Sequence, residues 1–256
     1  MSTVKEIYNW IDSIAPFAAV ESWDNSGLLV ETGEPEIDRV LLALDITGEV
    51  AQEAQEISAQ LIVAHHPVIF HPLRSLHPGQ PAYWLVRYGI NAICAHTNLD
   101  VAVGGVNDAL ARRLGLRCLE PLEVPGTSGL SLGRIGELER PVDAGAYPEL
   151  VKRALGCGGL KYVPRSGEIR RVAVCGGAGA DLIYRARELG ADALVTADSK
   201  HNLLLDAEAM GLMLIDAGHA CTERVVLEPL AERLRAAFPE VEFCLSRCAA
   251  DPARYI

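Results

Sequence analysis

Six residues suited to acid–base or metal chemistry fall into three short motifs: His65 and His66 in VAHHPVIF, His96 and Asp100 in AHTNLD, and His219 and Glu223 in GHACTE. Adjacent side chains on an extended segment point to opposite sides, so His65 and His66 cannot both back up one reacting group. Two imidazoles that diverge in this way suit two metal ions, with a carboxylate able to bridge them. Ion pairs of this kind, about 3.5–4 Å apart, acidify a bound water for hydrolysis. His219 and Glu223 are four residues apart. With Cys221 or Thr222 opening a helix, Glu223 lies in its first turn, where a carboxylate is favoured, and His219 sits just before it.

These motifs follow apolar runs that read as buried strands: RVLLAL (39–44), LIVA (61–64), INAICA (90–95), RVAVC (171–175), DALVTA (192–197) and LMLID (212–216). Helix-like stretches lie between them, among them 49–58 and 181–190. The alternation predicts an α/β fold with mainly parallel or mixed sheets. The layout repeats. Arg39-Val40 and Arg171-Val172 each open a strand, then a helix, then a second strand that ends before His65-His66 or Lys200-His201. The offset is too long for a solenoid, so two related α/β subdomains are expected. The first half spans 1–124 and the second 125–221, with a junction near Pro121–Gly126. The segment from about 222 to 256, including a helix over 222–237 and the strand VEFCLS, is expected to pack back onto the first half. VPGTSGLSLGRIGEL in the middle reads as edge or antiparallel strands, and 144–155 as a helix.

Ligands of open α/β sheets bind beyond the carboxyl ends of the strands, and the histidines collect there, at the ends of strands from both halves. A lone histidine at such a place is most often satisfied by packing. The cluster raises the metal reading to equal standing with polar packing. Asp45, Asp198 and Asp216 also end strands, as partners for the imidazoles or as backbone caps. CGGAGADL precedes a helix and could cradle phosphate, but it lacks the third glycine of the dinucleotide fingerprint. His71 and His77 read as surface or lid residues.

The chain has 256 residues, half of them hydrophobic, and a formal net charge of −11. That acidity argues against a nucleic-acid partner. No run approaches the ~18 apolar residues of a membrane span, and the N-terminal stretch has no signal-peptide core. Seven scattered cysteines, an odd number, fit reduced thiols and a cytoplasmic location.

Taken in order, WDNSGLLV (23–30), AHHPVIF (64–70), AHTNLD (95–100), CGGAG (175–179), TADSKHN (196–202) and DAGHACTE (216–223) resemble the dinuclear metal-centre proteins often called type 2 GTP cyclohydrolase I, over nearly the whole chain. The resemblance implies a metal site at strand ends in the cleft between the subdomains. It implies five ligands, His65, His66, Asp100, His219 and Glu223. Glu223 would bridge, His65 and His219 would serve one ion, and His66 and Asp100 the other. His96 would be a catalytic acid or base, since an imidazole titrates near neutrality. Lys200 and His201 would meet substrate, with Lys200 and the Gly176–Gly179 loop reaching phosphates. The cofactors would be two divalent ions, of Zn, Mn, Fe, Co or Ni. The implied reaction is hydrolytic opening of the guanine imidazole ring of GTP, a small-molecule nucleotide substrate, by a metal-activated water. A hexameric ring is also implied. Two features depart from the family pattern: the chain is a short form without an inserted domain, and Ala197 stands where Gly is common. The alternative function is a non-enzymatic one, in metal binding, metal delivery or scaffolding.

Overall fold

The computed structural model describes residues 2–33, 36–122, 132–248 and 251–255. It divides the chain into two compact units. One runs from the N-terminus to Val103 and resumes over Leu227–Ala250; the other comprises Gly104–Val226 and the tail from Asp251. The junction expected near Pro121–Gly126 runs into residues 123–131, which lie outside the described residues, as does most of the VPGTSGLSLGRIGEL stretch. The described chain changes unit at Val103–Gly104 and again at Val226–Leu227.

The first unit is built on a five-stranded sheet, in the order Glu242–Leu245, Arg39–Ala43, Leu61–Ala64, Asn91–Cys94, Gly27–Val30. The first four are parallel and Gly27–Val30 is antiparallel to its neighbour. Every residue of Leu61–Ala64 and Asn91–Cys94 is buried, which is why these strands read as unbroken apolar runs rather than alternating ones. The VEFCLS strand lies beside Arg39–Ala43, in the first unit's sheet. The helix Val4–Ile14 buries Val4, Ile7 and Ile11 along one side and begins with a Thr3–Glu6 capping box. Thr47 accepts a hydrogen bond from the Val50 amide and starts the helix Gly48–Glu56.

The second unit carries a six-stranded sheet, ordered Leu116–Pro121, Arg134–Asp143, Glu168–Val174, Ala193–Thr196, Met213–Asp216, Lys161–Tyr162. Its middle three strands, Glu168–Val174 to Met213–Asp216, are parallel, and the strand Lys161–Tyr162 at one edge is antiparallel. The expected repeat is visible in these orders. Each sheet contains three parallel strands consecutive in chain order, Arg39–Ala43, Leu61–Ala64 and Asn91–Cys94 or Glu168–Val174, Ala193–Thr196 and Met213–Asp216, with an antiparallel edge strand beside the last of them. The last expected helix is divided: His219–Glu223 and a 3-10 turn, Arg224–Val226, belong to the second unit, and Leu227–Ala237 to the first. Among the described residues no helix is long and apolar enough to cross a membrane.

A buried ion pair ties the second unit together. Asp108, on the helix Val106–Arg113, meets Arg134 at the start of its strand, Nε to Oδ1 2.5 Å, with both side chains only 8% exposed. The other Asp108 oxygen accepts the Gly104 amide at 2.6 Å. Removing one partner of such a pair leaves a buried charge uncompensated, at a cost of about 3–5 kcal/mol. Asp108→Ala is therefore expected to lower the unfolding free energy by about that amount in urea titrations. The double replacement Asp108→Leu with Arg134→Met is expected to recover most of the loss.

Candidate metal centre

Four histidines are oriented in the same way, each through its Nδ1. His65 and His66 follow the strand Leu61–Ala64. The His65 Nδ1 lies 2.9 Å from the carbonyl oxygen of Ala95, beyond the neighbouring strand on one side. The His66 Nδ1 lies 2.8 Å from Oδ1 of Asp45, beyond the neighbouring strand on the other. His96 follows Asn91–Cys94 and sets its Nδ1 2.8 Å from Oδ1 of Asp24. In the second unit His219 sets its Nδ1 2.7 Å from Oδ2 of Asp198. A carbonyl and carboxylates can only accept, so in each case Nδ1–H donates and the neutral ring keeps its lone pair on Nε2. This is the tautomer that a metal-binding histidine needs.

The carboxylates stand where those Nε2 atoms point. Asp100 Oδ1 is 3.6 Å from His65 Nε2, and Glu223 Oε2 is 3.0 Å from His219 Nε2. Two ligand atoms each about 2.0–2.2 Å from a tetrahedral ion stand roughly 3.4 Å apart, so both separations suit a shared ion. In the first unit the donor atoms of His65, His66 and His96 lie within 4.8 Å of one another. The division implied by the resemblance puts Asp100 with His66; Asp100 also stands 3.6 Å from His65 Nε2. The first unit thus offers three imidazoles able to hold a metal ion, with Asp100 beside His65, and the second sets one imidazole beside one carboxylate. Nitrogen and oxygen donors without thiolate are the set expected for Zn, Mn, Fe, Co or Ni.

Asp24 is the partner that the sequence reading overlooked. Its side chain is fully buried. It accepts from Ser26 Oγ at 2.8 Å, Thr97 Oγ1 at 2.7 Å and the Asn25 amide at 2.7 Å, besides His96. Burial alone would raise its pKa, but the hydrogen bonds from His96, Thr97 and Ser26 outweigh that and hold the carboxyl well below the usual range. It stays ionised and keeps His96 in one orientation. The signal was present in WDNSG, but its use depends on Gly27–Val30 pairing with Asn91–Cys94. Of the three aspartates flagged at strand ends, Asp45 and Asp198 hold imidazoles. Asp216 instead accepts from the Ser199 and Gly218 amides and from Lys161. Asp198 adopts a left-handed φ of +52°, a strained conformation of a kind found where a side chain is aimed for function.

The short helices set the carboxylates. The His96 carbonyl accepts from the Leu99 and Asp100 amides, closing the turn that holds Asp100. His219 is itself the first residue of its helix, two or three positions earlier than the expected start at Cys221 or Thr222, because Gly218 takes the turn with φ +85°. Glu223 depends on the glycine loop. A Cβ on Gly177, at φ +63°, would lie 2.2 Å from Glu223 Oε1 and 3.2 Å from His219 Cε1. The amides of Gly176, Gly177 and Gly179 donate to Asn107, Thr222 and Thr196. The loop is therefore a cradle for Glu223, and these amides are committed to the protein rather than to phosphate. Lys200 and His201 begin the helix His201–Met210 with exposed side chains; no described contact brings either to His219 or Glu223. His71 and His77 are exposed.

Residues 2–252 match the profile of the Duf34/NIF3 (NGG1p interacting factor 3) family. The chain belongs to this family. A Duf34/NIF3 relative from Clostridium perfringens, named GTP cyclohydrolase 1 type 2 homolog, is 35% identical over 99% of each chain. A protein from Helicobacter pylori named GTP cyclohydrolase 1 type 2 is 33% identical over 92% of this chain and 93% of its own. The crystal structure of a Bacillus cereus protein related to NIF3 covers 100% of both chains with a TM-score of 0.91 and 25% identity. The α/β fold with mixed sheets is thus the Duf34/NIF3 fold.

Without metal, the Glu223 hydrogen bond raises the His219 pKa from 6.5 to about 9; burial opposes it and Asp198 adds to it. The stabilisation is full below about pH 6.5 and is lost as pH rises through about 9. Imidazole NMR titration of metal-stripped protein should show this raised midpoint, and Glu223→Gln should return it toward 6.5. Gly177→Ala should displace Glu223 and weaken metal uptake at least tenfold by calorimetry, while Gly190→Ala, far from any neighbour's contact, should leave uptake unchanged.

Proposed function

We propose that the protein is a metal-dependent hydrolase with a dinuclear centre, acting on a nucleotide and, by likeness to its relatives' names, on GTP. One observation carries this reading. All four strand-end imidazoles spend Nδ1–H on a protein acceptor, which in the neutral ring leaves the lone pair on Nε2, and two of these Nε2 atoms stand beside carboxylates, His65 beside Asp100 and His219 beside Glu223.

The proposed ligands are those implied by the resemblance: His65, His66, Asp100, His219 and Glu223. The geometry within each unit supports His65 acting with Asp100 and His219 acting with Glu223. A pair of divalent ions, when bound, supplies a water acidic enough to attack at neutral pH and a Lewis acid for the atom under attack. The remaining work falls to the chain. Asp45, Asp24 and Asp198 fix the ring orientation of His66, His96 and His219. His96, held by ionised Asp24, is the proposed residue that takes a proton and returns it to the leaving group. Lys200 and His201, exposed at their helix start, are kept as proposed substrate contacts. A homo-oligomeric, hexameric assembly, supported by the resemblance, and a cytoplasmic location, supported by the scattered odd number of cysteines, remain part of the proposal.

The deciding experiment is elemental analysis of untagged protein with formate release from GTP. About two ions per chain are expected, as for a bridged pair, with most of the metal lost in Glu223→Ala. His96→Ala should keep its metal and lose turnover by at least 100-fold. Wild-type protein that takes up no Zn, Mn or Fe would overturn the metal centre. A metal-loaded wild type that releases no formate, or whose behaviour is unchanged in His96→Ala, would point to metal delivery or scaffolding.

A further inference from the structure

Beside the imidazole cluster of the first unit lie two aromatic rings that the chain leaves in water. Trp23 is 57% exposed, the most exposed aromatic ring among the described residues, and Phe70 is 40% exposed. Their ring centroids are 6.2 Å apart, with planes tilted by 36°. Trp23 also meets His96 edge to face at 6.0 Å. The series continues inward, from His96 to His65 at 5.1 Å and to His66 at 5.4 Å. Exposure falls from the two rings to His96, 14% exposed, and on to His65, fully buried, while His66 keeps 21%.

The exposed rings are held in place. Trp23 directly precedes Asp24, which is locked to His96, Thr97 and Ser26. The next residue, Asn25, donates from Nδ2 to the Ile69 carbonyl at 2.6 Å, stapling the Trp23 loop to the one that carries Phe70. Ser26 Oγ accepts from the His96 amide at 3.2 Å. A protein that fixes two large apolar rings yet leaves them exposed has prepared a surface to be covered. The ring geometry selects the cover. Tilted rings at this spacing, in the separation range of aromatic pairs, offer faces for a flat ring to lie on. The neighbours on the buried side are imidazoles, which suit a polar heterocycle better than an aliphatic chain.

We infer that Trp23 and Phe70 form a stacking platform for a planar heteroaromatic ring, a purine base, and that it presents the edge of that ring to His96. The inference rests on the proposed hydrolase for the role of His96, but not for binding. It accounts for base selection without a phosphate cradle, consistent with the glycine-loop amides being engaged by the protein. Sequence-tolerant stacking of a base on an aromatic side chain corresponds to about a tenfold or greater change in affinity on alanine substitution.

The test is titration of the full chain with GTP, guanosine, adenosine and inorganic tripolyphosphate, read by tryptophan fluorescence and calorimetry, with metal bound and after stripping. GTP and both nucleosides should quench fluorescence in both states, and tripolyphosphate should not. Trp23→Ala should abolish the quench and weaken guanosine binding about tenfold, while Trp23→Phe should keep most of the affinity. Because Trp23 is exposed, the fold of Trp23→Ala is checked by circular dichroism, and Phe70→Ala provides a second, weaker variant. Absence of quenching by nucleosides, or Trp23→Ala binding with wild-type affinity, would overturn the platform. So would unchanged nucleoside binding with a shifted sedimentation coefficient in Trp23→Ala, which would make these rings a contact between copies of the chain. GTP that binds the metal-loaded protein but yields no formate would sink the hydrolase and leave the platform standing; formate release by Trp23→Ala with wild-type KM would do the reverse.

Discussion

The hydrogen bond from each histidine's Nδ1 to an acceptor on a neighbouring strand or its loop is the constraint on which the candidate centre depends. An imidazole at the end of a strand has two free torsions and two chemically different nitrogens. One hydrogen bond to a fixed acceptor removes both ambiguities. It sets the ring plane, and it sends the lone pair to Nε2. The acceptor can be fixed only if the next strand is in register. Ala64 lies opposite Cys94 and Ala43 opposite Ala64, so the residues just past those strand ends, Ala95 and Asp45, arrive on either side of His65 and His66. The sheet thus acts as a jig. The adjacent histidines diverge because each is claimed by a different neighbour.

The second unit repeats the device with different parts. Thr196 lies opposite Asp216, and Asp198, two residues past one strand, holds His219, three residues past the other. In both sheets the third parallel strand leads into a five-residue helix, Thr97–Val101 or His219–Glu223. Both segments set a histidine four residues before a carboxylate, His96 with Asp100 and His219 with Glu223. The copies have diverged in how the carboxylate is accommodated. Asp100 is placed by the turn at the His96 carbonyl. The longer Glu223 needs space, which Gly177 provides by having no Cβ at a backbone angle that side chains rarely adopt.

What could be read from the sequence follows from these dependencies. The parallel strands were legible because burial on both faces makes them unbroken apolar runs, and the histidines were legible because they end those runs. Asp45 and Asp198 stood out for the same reason. Asp24 did not, since it precedes an edge strand whose partner is 60-odd residues away in sequence, and nothing local to WDNSG says which histidine it will hold. The glycine loop was open to two readings, because CGGAG describes equally a phosphate cradle and a space for a carboxylate. Only the engagement of its amides by Asn107, Thr222 and Thr196 separates them. The start of the last helix was misplaced because Gly218, which the pattern treats as a break, serves as its cap.

The proposed metal ligands and the proposed substrate contacts also sit on different kinds of structure, and this explains why one is easier to read than the other. The imidazoles and their acceptors lie within a few residues of strand ends, where the backbone is fixed by ladder hydrogen bonds and a substitution disturbs the sheet. Trp23 and Phe70 stand on loops, tied to each other through Asn25 and Ile69 and to the sheet through Asp24. Such loops can change their exposed side chains while keeping the staple. A chain could therefore change which flat ring it accepts by altering Trp23 or Phe70 and leave every imidazole hydrogen bond intact. Asp24 is the link between the two: it orients His96 on one side and anchors the loop of Trp23 on the other.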